Sequence, residues 1–208
     1  MIKLWQRLNM TTVAFNPLPT GRLTLRCLVE PDVPALFGIF SHAEVMRYWS
    51  HPAWTDMAQA RQMLTACQEG YRTGSAWQLG IERREDGALV GTCTLFHLHA
   101  ASRRAEVGYA LGRPYWGAGY MHEALQALLG FAFHALDLNR LEADIDPRNH
   151  ASARTLERLG FQREGHMRER WIVTVSSPRA RRVSITAPGQ ATFIASARAS
   201  SFPVSVIA

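Results

Sequence analysis

Six consecutive residues, Trp116-Gly117-Ala118-Gly119-Tyr120-Met121, carry the strongest chemical signal in the chain. They follow an alternating stretch, Ala105-Glu106-Val107-Gly108-Tyr109-Ala110-Leu111, and run at once into a helical pattern. Glycine adopts positive φ without penalty, so two glycines this close let several successive backbone N–H groups point into one hollow. The start of the following helix adds unsatisfied donors and the positive end of its dipole. Such a turn holds a pyrophosphate with no charged side chain. The same residues also suit a plain tight turn, and a pair of glycines alone does not choose between the two readings.

Acid–base groups lie near that segment in sequence. Glu106 can take a proton, directly or through water, if it faces a substrate channel. Otherwise it is a solvent-facing carboxylate beside Arg103 or Arg104. In Asn149-His150-Ala151-Ser152 a helix is predicted to start, where Asn and Ser commonly cap backbone donors. His97 and His99 fall two apart on a predicted strand and would share a face. No further ligands accompany them, so no metal site is expected. Trp49, His51 and Trp54 sit in an aromatic loop that either packs into the core or grips a substrate. Cys27, Cys67 and Cys93 are odd in number and lack metal-ligand spacing, which leaves them as small buried hydrophobes.

These groups need a scaffold, and the periodicity supplies one. Residues 1–20 form a lead-in ending in Asn16-Pro17-Leu18-Pro19. Alternation predicts a strand over Arg22–Leu28, and Asp32 caps a helix through Phe40. Thr55 opens a second helix with Ala60, Met63, Cys67 and Tyr71 on one face, with Gly70 and Gly74 marking its end. Strands are predicted at Ala76–Glu82, Leu89–His97 and Ala105–Leu111, the first two joined through Glu85-Asp86-Gly87. A helix with Met121, Leu125, Leu128 and Ala132 on one face leads to a strand at Leu141–Ile145. A last helix, Ala151–Leu159, is closed by Gly160, and Phe161–Val173 is extended. Hairpins and strand–helix–strand crossovers together predict an α/β fold with a mixed sheet.

Bulk composition narrows the function classes. The chain has 208 residues, 47% hydrophobic and 19% charged, as expected of one globular domain. No apolar run is long enough to span a membrane, and no signal peptide is evident, so a cytoplasmic protein with no membrane partner is expected. Of the net charge of +6, four units come from Arg179, Arg181, Arg182 and Arg198 in a tail lacking Asp and Glu. The body is nearly balanced, which argues against a nucleic-acid partner. From Thr174 to Ala208 there is no Leu, Asp, Glu or Lys. Short β-prone pieces occur at Arg182–Thr186 and Ala191–Ala195, yet no alternation joins them to the core. The tail therefore reads as an atypical, poorly packed terminus, and truncation at Val173 is expected to leave the melting temperature unchanged.

From Arg22 to Val173 the chain resembles the GNAT superfamily of N-acetyltransferases. The branch most like it holds the ribosomal-protein alanine and serine N-acetyltransferases. The resemblance rests on the Trp-Gly-x-Gly-Tyr form of the phosphate turn, on Asn149-x-x-Ser152 and on Leu159-Gly160-Phe161, in order and at matching separations. Trp116 stands where the superfamily has Gln or Arg, and Met121 where it has a small residue. The resemblance implies a mostly antiparallel sheet with a splayed central strand pair and flanking helices, the domain covering residues 21–173. It implies acetyl-CoA as co-substrate, with no metal. Val107, Gly108, Trp116, Gly117, Ala118, Gly119, Tyr120, Met121 and Asn149 would hold it. Ser152 would serve the leaving thiolate and Glu106 would take the amine proton. The acceptor would be a protein N-terminal amine, or else a small amine such as an aminoglycoside or polyamine. A homodimer is compatible with all of this, as is a non-catalytic CoA-binding module.

Overall fold

The computed structural model describes residues 15–168 and 191–198. Eight strands form one sheet: β1 (Leu18–Pro19), β2 (Leu23–Cys27), β3 (Trp77–Arg83), β4 (Leu89–His99), β5 (Arg104–Leu111), β6 (Arg140–Ile145), β7 (Gln162–Arg168) and β8 (Ala191–Arg198). Their spatial order is β1-β2-β3-β4-β5-β6-β8-β7. Neighbours are antiparallel except β5 and β6, which the crossover through a helix makes parallel.

Five helices flank the sheet: α1 (Val33–Phe40), α2 (Ala43–Met46), α3 (Met57–Thr73), α4 (Tyr120–Gly130, continued by a π-helical turn at Phe131–Ala135) and α5 (His150–Arg158). Ala105 and Val107 of β5 enter one core cluster with Leu125 and Leu128 of α4 and Leu156 of α5. Ala110, out of phase with them, enters a second cluster with residues of α1 and α3. The two clusters therefore lie on opposite faces of the sheet. Leu125 and Leu128 are completely buried, and burial of each stabilises the fold by about 2 kcal/mol.

Local chemistry explains the element ends and three departures from the sequence pattern. Helix α3 starts at Asp56 rather than Thr55. The Asp56 carboxylate accepts the N–H of Ala58 at 2.8 Å, and Gln59 reaches back to the Asp56 N–H at 3.1 Å. Gly74, at φ +66°, ends the helix, but Gly70 lies inside it. A Cβ there would come within 3.0 Å of the Ala76 carbonyl oxygen, so Gly70 serves close helix–strand packing and not termination. At the end of β4 the register slips between Phe96 and His99, and His97 takes φ +50°. That bulge interrupts the alternation expected to place His97 and His99 on one face.

The third departure concerns the tail. The sequence beyond Val173 has no alternating pattern, yet the backbone of Ala191–Arg198 pairs antiparallel with β6 on one side and β7 on the other. Backbone N–H and C=O groups make a ladder in any sequence without proline, so strand insertion does not require an amphipathic pattern.

Candidate active site

The site begins where two strands part. Parallel pairing of β5 with β6 covers only Arg104↔Arg140, Ala105↔Leu141 and Glu106↔Glu142, while β5 continues to Leu111 and β6 to Ile145. Among the described residues, β5 has no partner on its β6 side from Val107 onward. Successive strand N–H groups point to opposite sides, so one of Val107 and Gly108 presents its donor to this gap. A gap of this kind accepts an extended ligand arm as a further strand accepts a neighbour.

Beyond the gap comes the glycine-rich turn. Gly112 leads into a 3-10 turn at Arg113–Tyr115, and Gly117 and Gly119 both take φ +79°. Gly119 is the N-cap of α4, with its φ in the region that favours glycine. Among the described residues no protein acceptor takes the N–H of Gly117, Ala118 or Gly119. Tyr120 and Met121 open α4, where first-turn N–H groups have no intrahelical acceptor. Together these donors fit a diphosphate. Trp116 is 44% exposed; its indole N–H donates to the Leu111 carbonyl at 2.7 Å, and Arg113 stacks over its ring at 4.8 Å.

A latch that sequence reading missed holds the turn's outer side. The Arg22 guanidinium donates to the Ala118 carbonyl at 2.9 Å and to Glu123 at 2.7 Å, and lies 4.6 Å from the centre of the Tyr120 ring. Glu123 also accepts the Arg22 N–H at 2.7 Å and the Thr20 hydroxyl at 2.6 Å. Burial tends to raise the Glu123 carboxyl, but the bonds from Thr20 and Arg22 outweigh it and leave the group below the ordinary carboxylate range. With the Ala118 carbonyl turned to Arg22, the peptide N–H groups of the turn are left to a ligand. Arg22 and Glu123 lie a hundred residues apart, so no local pattern links them.

On the α4–α5 face, Ser152 is 8% exposed. The Asn149 side-chain oxygen accepts the Ser152 N–H at 3.1 Å, so Asn149 caps α5 and Ser152 does not. With its oxygen committed, Asn149 retains only its amide NH₂ for a ligand. The Ser152 hydroxyl lies 2.5 Å from the hydroxyl of Tyr109, on the unpaired part of β5. Burial pushes the Tyr109 hydroxyl up to about 12, moderated by the Ser152 bond. Sequence reading passed over Tyr109, although its parity with Ala105 and Val107 marks it as facing the helices that follow. The position one turn after Ser152 is the core residue Leu156.

Glu106 stands on the other face. It shares parity with Ala110, on the side covered by α1 and α3, and its side chain is 20% exposed. His97 Nδ1 lies 3.1 Å from the carboxylate, the bulge of β4 having placed the ring there. Arg104, one of its expected partners, instead bonds Glu142 at 3.1 Å, and Arg103 bonds Asp137. The structure thus groups Ser152 with Tyr109 and Asn149, and Glu106 with His97, on opposite sides of the gap. His99 accepts the Ser102 N–H and closes a turn. Trp54 is buried, stacked on Phe40 at 4.7 Å, and Trp49 meets Phe40 edge-on at 5.4 Å. Both serve the core beneath the loop. Burial pushes the thiols of Cys27, Cys67 and Cys93 above their usual range. Among the described residues no helix is long and apolar enough to cross a membrane.

The chain matches a family model described as an acetyltransferase (GNAT) domain over residues 22–162. It is 38% identical to an uncharacterized N-acetyltransferase, p20, of Bacillus licheniformis over 152 residues, covering 73% of this chain and 85% of that one. It is 27% identical to the ribosomal protein uS5-alanine N-acetyltransferase of Escherichia coli over 164 residues, covering 75% and 83%. A solved ribosomal L7/L12 α-N-protein acetyltransferase in complex with coenzyme A superposes with a TM-score of 0.73 at 20% identity, covering 88% of this chain and 98% of that one. A spermidine N-acetyltransferase from Vibrio cholerae, in complex with CoA and spermine, gives 0.72 at 18% identity with the same coverage. At these identities the solved structures establish likeness of fold.

Proposed function

The chain belongs to the acetyltransferase (GNAT) family and is an acetyl-CoA-dependent N-acetyltransferase, and from that premise we propose that its acceptor is the α-amine at a protein N-terminus. For the transfer step one observation carries the reading: Glu106 and Ser152 flank the gap between β5 and β6 from opposite faces of the sheet. Aminolysis of a thioester needs a base on the side of the entering amine and a donor on the side of the departing sulfur.

In this reading the N–H groups from Trp116 to Met121 hold the diphosphate, and binding energy gained there positions the thioester remotely. Asn149 adds its amide donor along the arm. The free N–H of Val107 or Gly108 polarises the thioester carbonyl. Glu106 takes the ammonium proton of the acceptor, directly or through water. Ser152 Oγ–H serves the sulfur as the carbon–sulfur bond breaks.

The electrostatics of the acceptor face favour a monoamine. Glu142, beside Glu106 in the sheet, is held by Arg104 and by Arg140 at 2.8 Å, and Asp146 is held by Arg148 at 2.6 Å. A polycation would have to displace those arginines, whereas a single α-ammonium needs one carboxylate. Similarity to the uS5-alanine enzyme supports the same choice. The test is thiol release from acetyl-CoA with peptides beginning in Ala or Ser, set against spermidine and an aminoglycoside, with acetylated products identified by mass spectrometry. Faster turnover of the peptides is expected; turnover of spermidine alone would transfer the assignment to small amines.

A further inference from the structure

We propose that Tyr109 is a positioning residue for the transfer step, its hydroxyl donating to Ser152 Oγ so that the serine proton is turned toward the departing sulfur. The inference rests on the proposed role of Ser152 and extends it to a residue on a different element.

The argument starts from how many hydrogen bonds two hydroxyls can share. At 2.5 Å, Tyr109 Oη and Ser152 Oγ form one bond in which either oxygen could donate. A phenol is far more acidic than an aliphatic alcohol and is therefore the stronger donor of the pair. The Ser152 carbonyl oxygen lies 3.4 Å from the same tyrosine hydroxyl, a second acceptor on the same side. With Tyr109 donating, Ser152 Oγ keeps its own proton free. No bond from this oxygen to a backbone carbonyl of α5 is found among the described residues, since the cap is made by Asn149. A hydroxyl that accepts one hydrogen bond becomes a better donor in the next, so the order Tyr109 to Ser152 to sulfur is cooperative.

Location agrees with this direction. Tyr109 lies three residues past Glu106, the last β5 residue paired with β6, and Ser152 lies on the helix that follows β6. The Tyr109–Ser152 bond therefore spans the parted strands on the α4–α5 face, opposite Glu106. A thioester arm entering the gap brings its sulfur past this bond.

The chemistry balances without ionising either hydroxyl. The amine nitrogen bonds the carbonyl carbon, the carbon–sulfur bond breaks, and the electron pair stays on sulfur. The acceptor's ammonium proton leaves through Glu106 to solvent before attack, and the second proton, shed by the nitrogen as the amide forms, then goes to the same carboxylate. An alkyl thiol ionises near pH 8.5, as cysteine does, so the thiolate is a competent leaving group if a hydrogen bond stabilises it. Neither serine nor a buried tyrosine is acidic enough to give its proton away to that thiolate. Ser152 donates a hydrogen bond, Tyr109 remains neutral, and the thiolate takes its proton from water on release.

The test uses free coenzyme A as probe, so it needs no knowledge of the acceptor. The ionisation of the bound thiol is followed by thiolate absorbance against pH in the full-length wild type, Tyr109→Phe, Ser152→Ala and the double variant. Each substitution removes a single oxygen; thermal unfolding and CoA affinity by calorimetry check that fold and binding survive. The wild type should ionise bound CoA below the pH of the free thiol. Tyr109→Phe should raise that value by about half a pH unit or more. Ser152→Ala should raise it further, and the double variant no further than Ser152→Ala. An unmoved value in Tyr109→Phe while Ser152→Ala shifts, or losses that simply add, would overturn the inference and leave the role of Ser152 standing. No binding of CoA by the wild type, or no shift in Ser152→Ala, would remove the reading on which it rests.

Discussion

The side proposed to hold the cofactor and the side proposed to take the acceptor are built from different materials. On the first of these the groups offered are backbone: N–H donors of Gly117–Met121, the part of β5 after Glu106 that is not paired with β6, and glycines at φ +79°. On the acceptor side they are side chains, Glu106 with His97 and Glu142 with its two arginines, closed by strands drawn from the far end of the chain. Backbone sites depend on conformation at a few positions and tolerate changes of side chain, as Trp116 and Met121 at atypical positions illustrate. Side-chain sites depend on which residues the fold brings together.

Substitutions that strike each side separately sharpen that contrast. Gly119→Val should have the largest effect. A β-branched residue at φ +79° is strained, and its Cβ would lie 3.5 Å from the Arg22 guanidinium, so the turn and its inward N–H groups would shift and acetyl-CoA affinity by calorimetry should fall about a thousandfold. Normal affinity would show that the turn is not the diphosphate cradle. Glu106→Gln should lower turnover about a hundredfold while leaving that affinity intact. Equal loss of binding and turnover would mean that Glu106 is structural.

The tail gives the next test. Removing everything after Val173 strips β6 and β7 of the strand between them, so a thermal melt should fall by about 5 °C or more. An unchanged melt would restore the expectation drawn from composition. The smallest effect belongs to the latch. Glu123 is held below the ordinary carboxylate range, so its contribution is complete above that range and is lost as pH falls through the lowered folded value. Wild type should therefore lose about 1 kcal/mol more than Glu123→Gln between pH 6 and strongly acidic pH, Arg22 being half exposed. Parallel acid titrations of the two proteins would show no such gap if the latch contributes nothing.

Much of the scaffold was legible because local signals made it so. The Gly74 stop and the Ala105–Leu111 alternation each express a rule that operates within a few residues, as does the Asp56–Gln59 cap, which the reading at Thr55 missed by one position. The two glycines before α4 could be read as a ligand turn only with the strand before and the helix after them. Where reading failed, long-range contact decided. Gly70 looked like a helix end because helical glycine is costly in isolation; it lies inside α3 where the Ala76 carbonyl, just before β3, leaves no room for a Cβ. His97 and His99 looked equivalent until a bulge separated them.

The sequence alone determined where the main strands, helices and positive-φ glycines of residues 22–168 fall, though not β1, α2 or β8, and so determined the place of the glycine turn before α4. Steric and hydrogen-bonding preferences of that kind are local. Only the tertiary structure decided that Tyr109 meets Ser152, that Arg22 holds the outside of the turn, and that Ala191–Arg198 enters the sheet between β6 and β7. Those pairings join residues tens to more than a hundred positions apart. What selects them is shared burial for Tyr109 and Ser152, a carbonyl and a carboxylate for Arg22, and open strand edges for Ala191–Arg198, none of which leaves a trace in the neighbouring sequence.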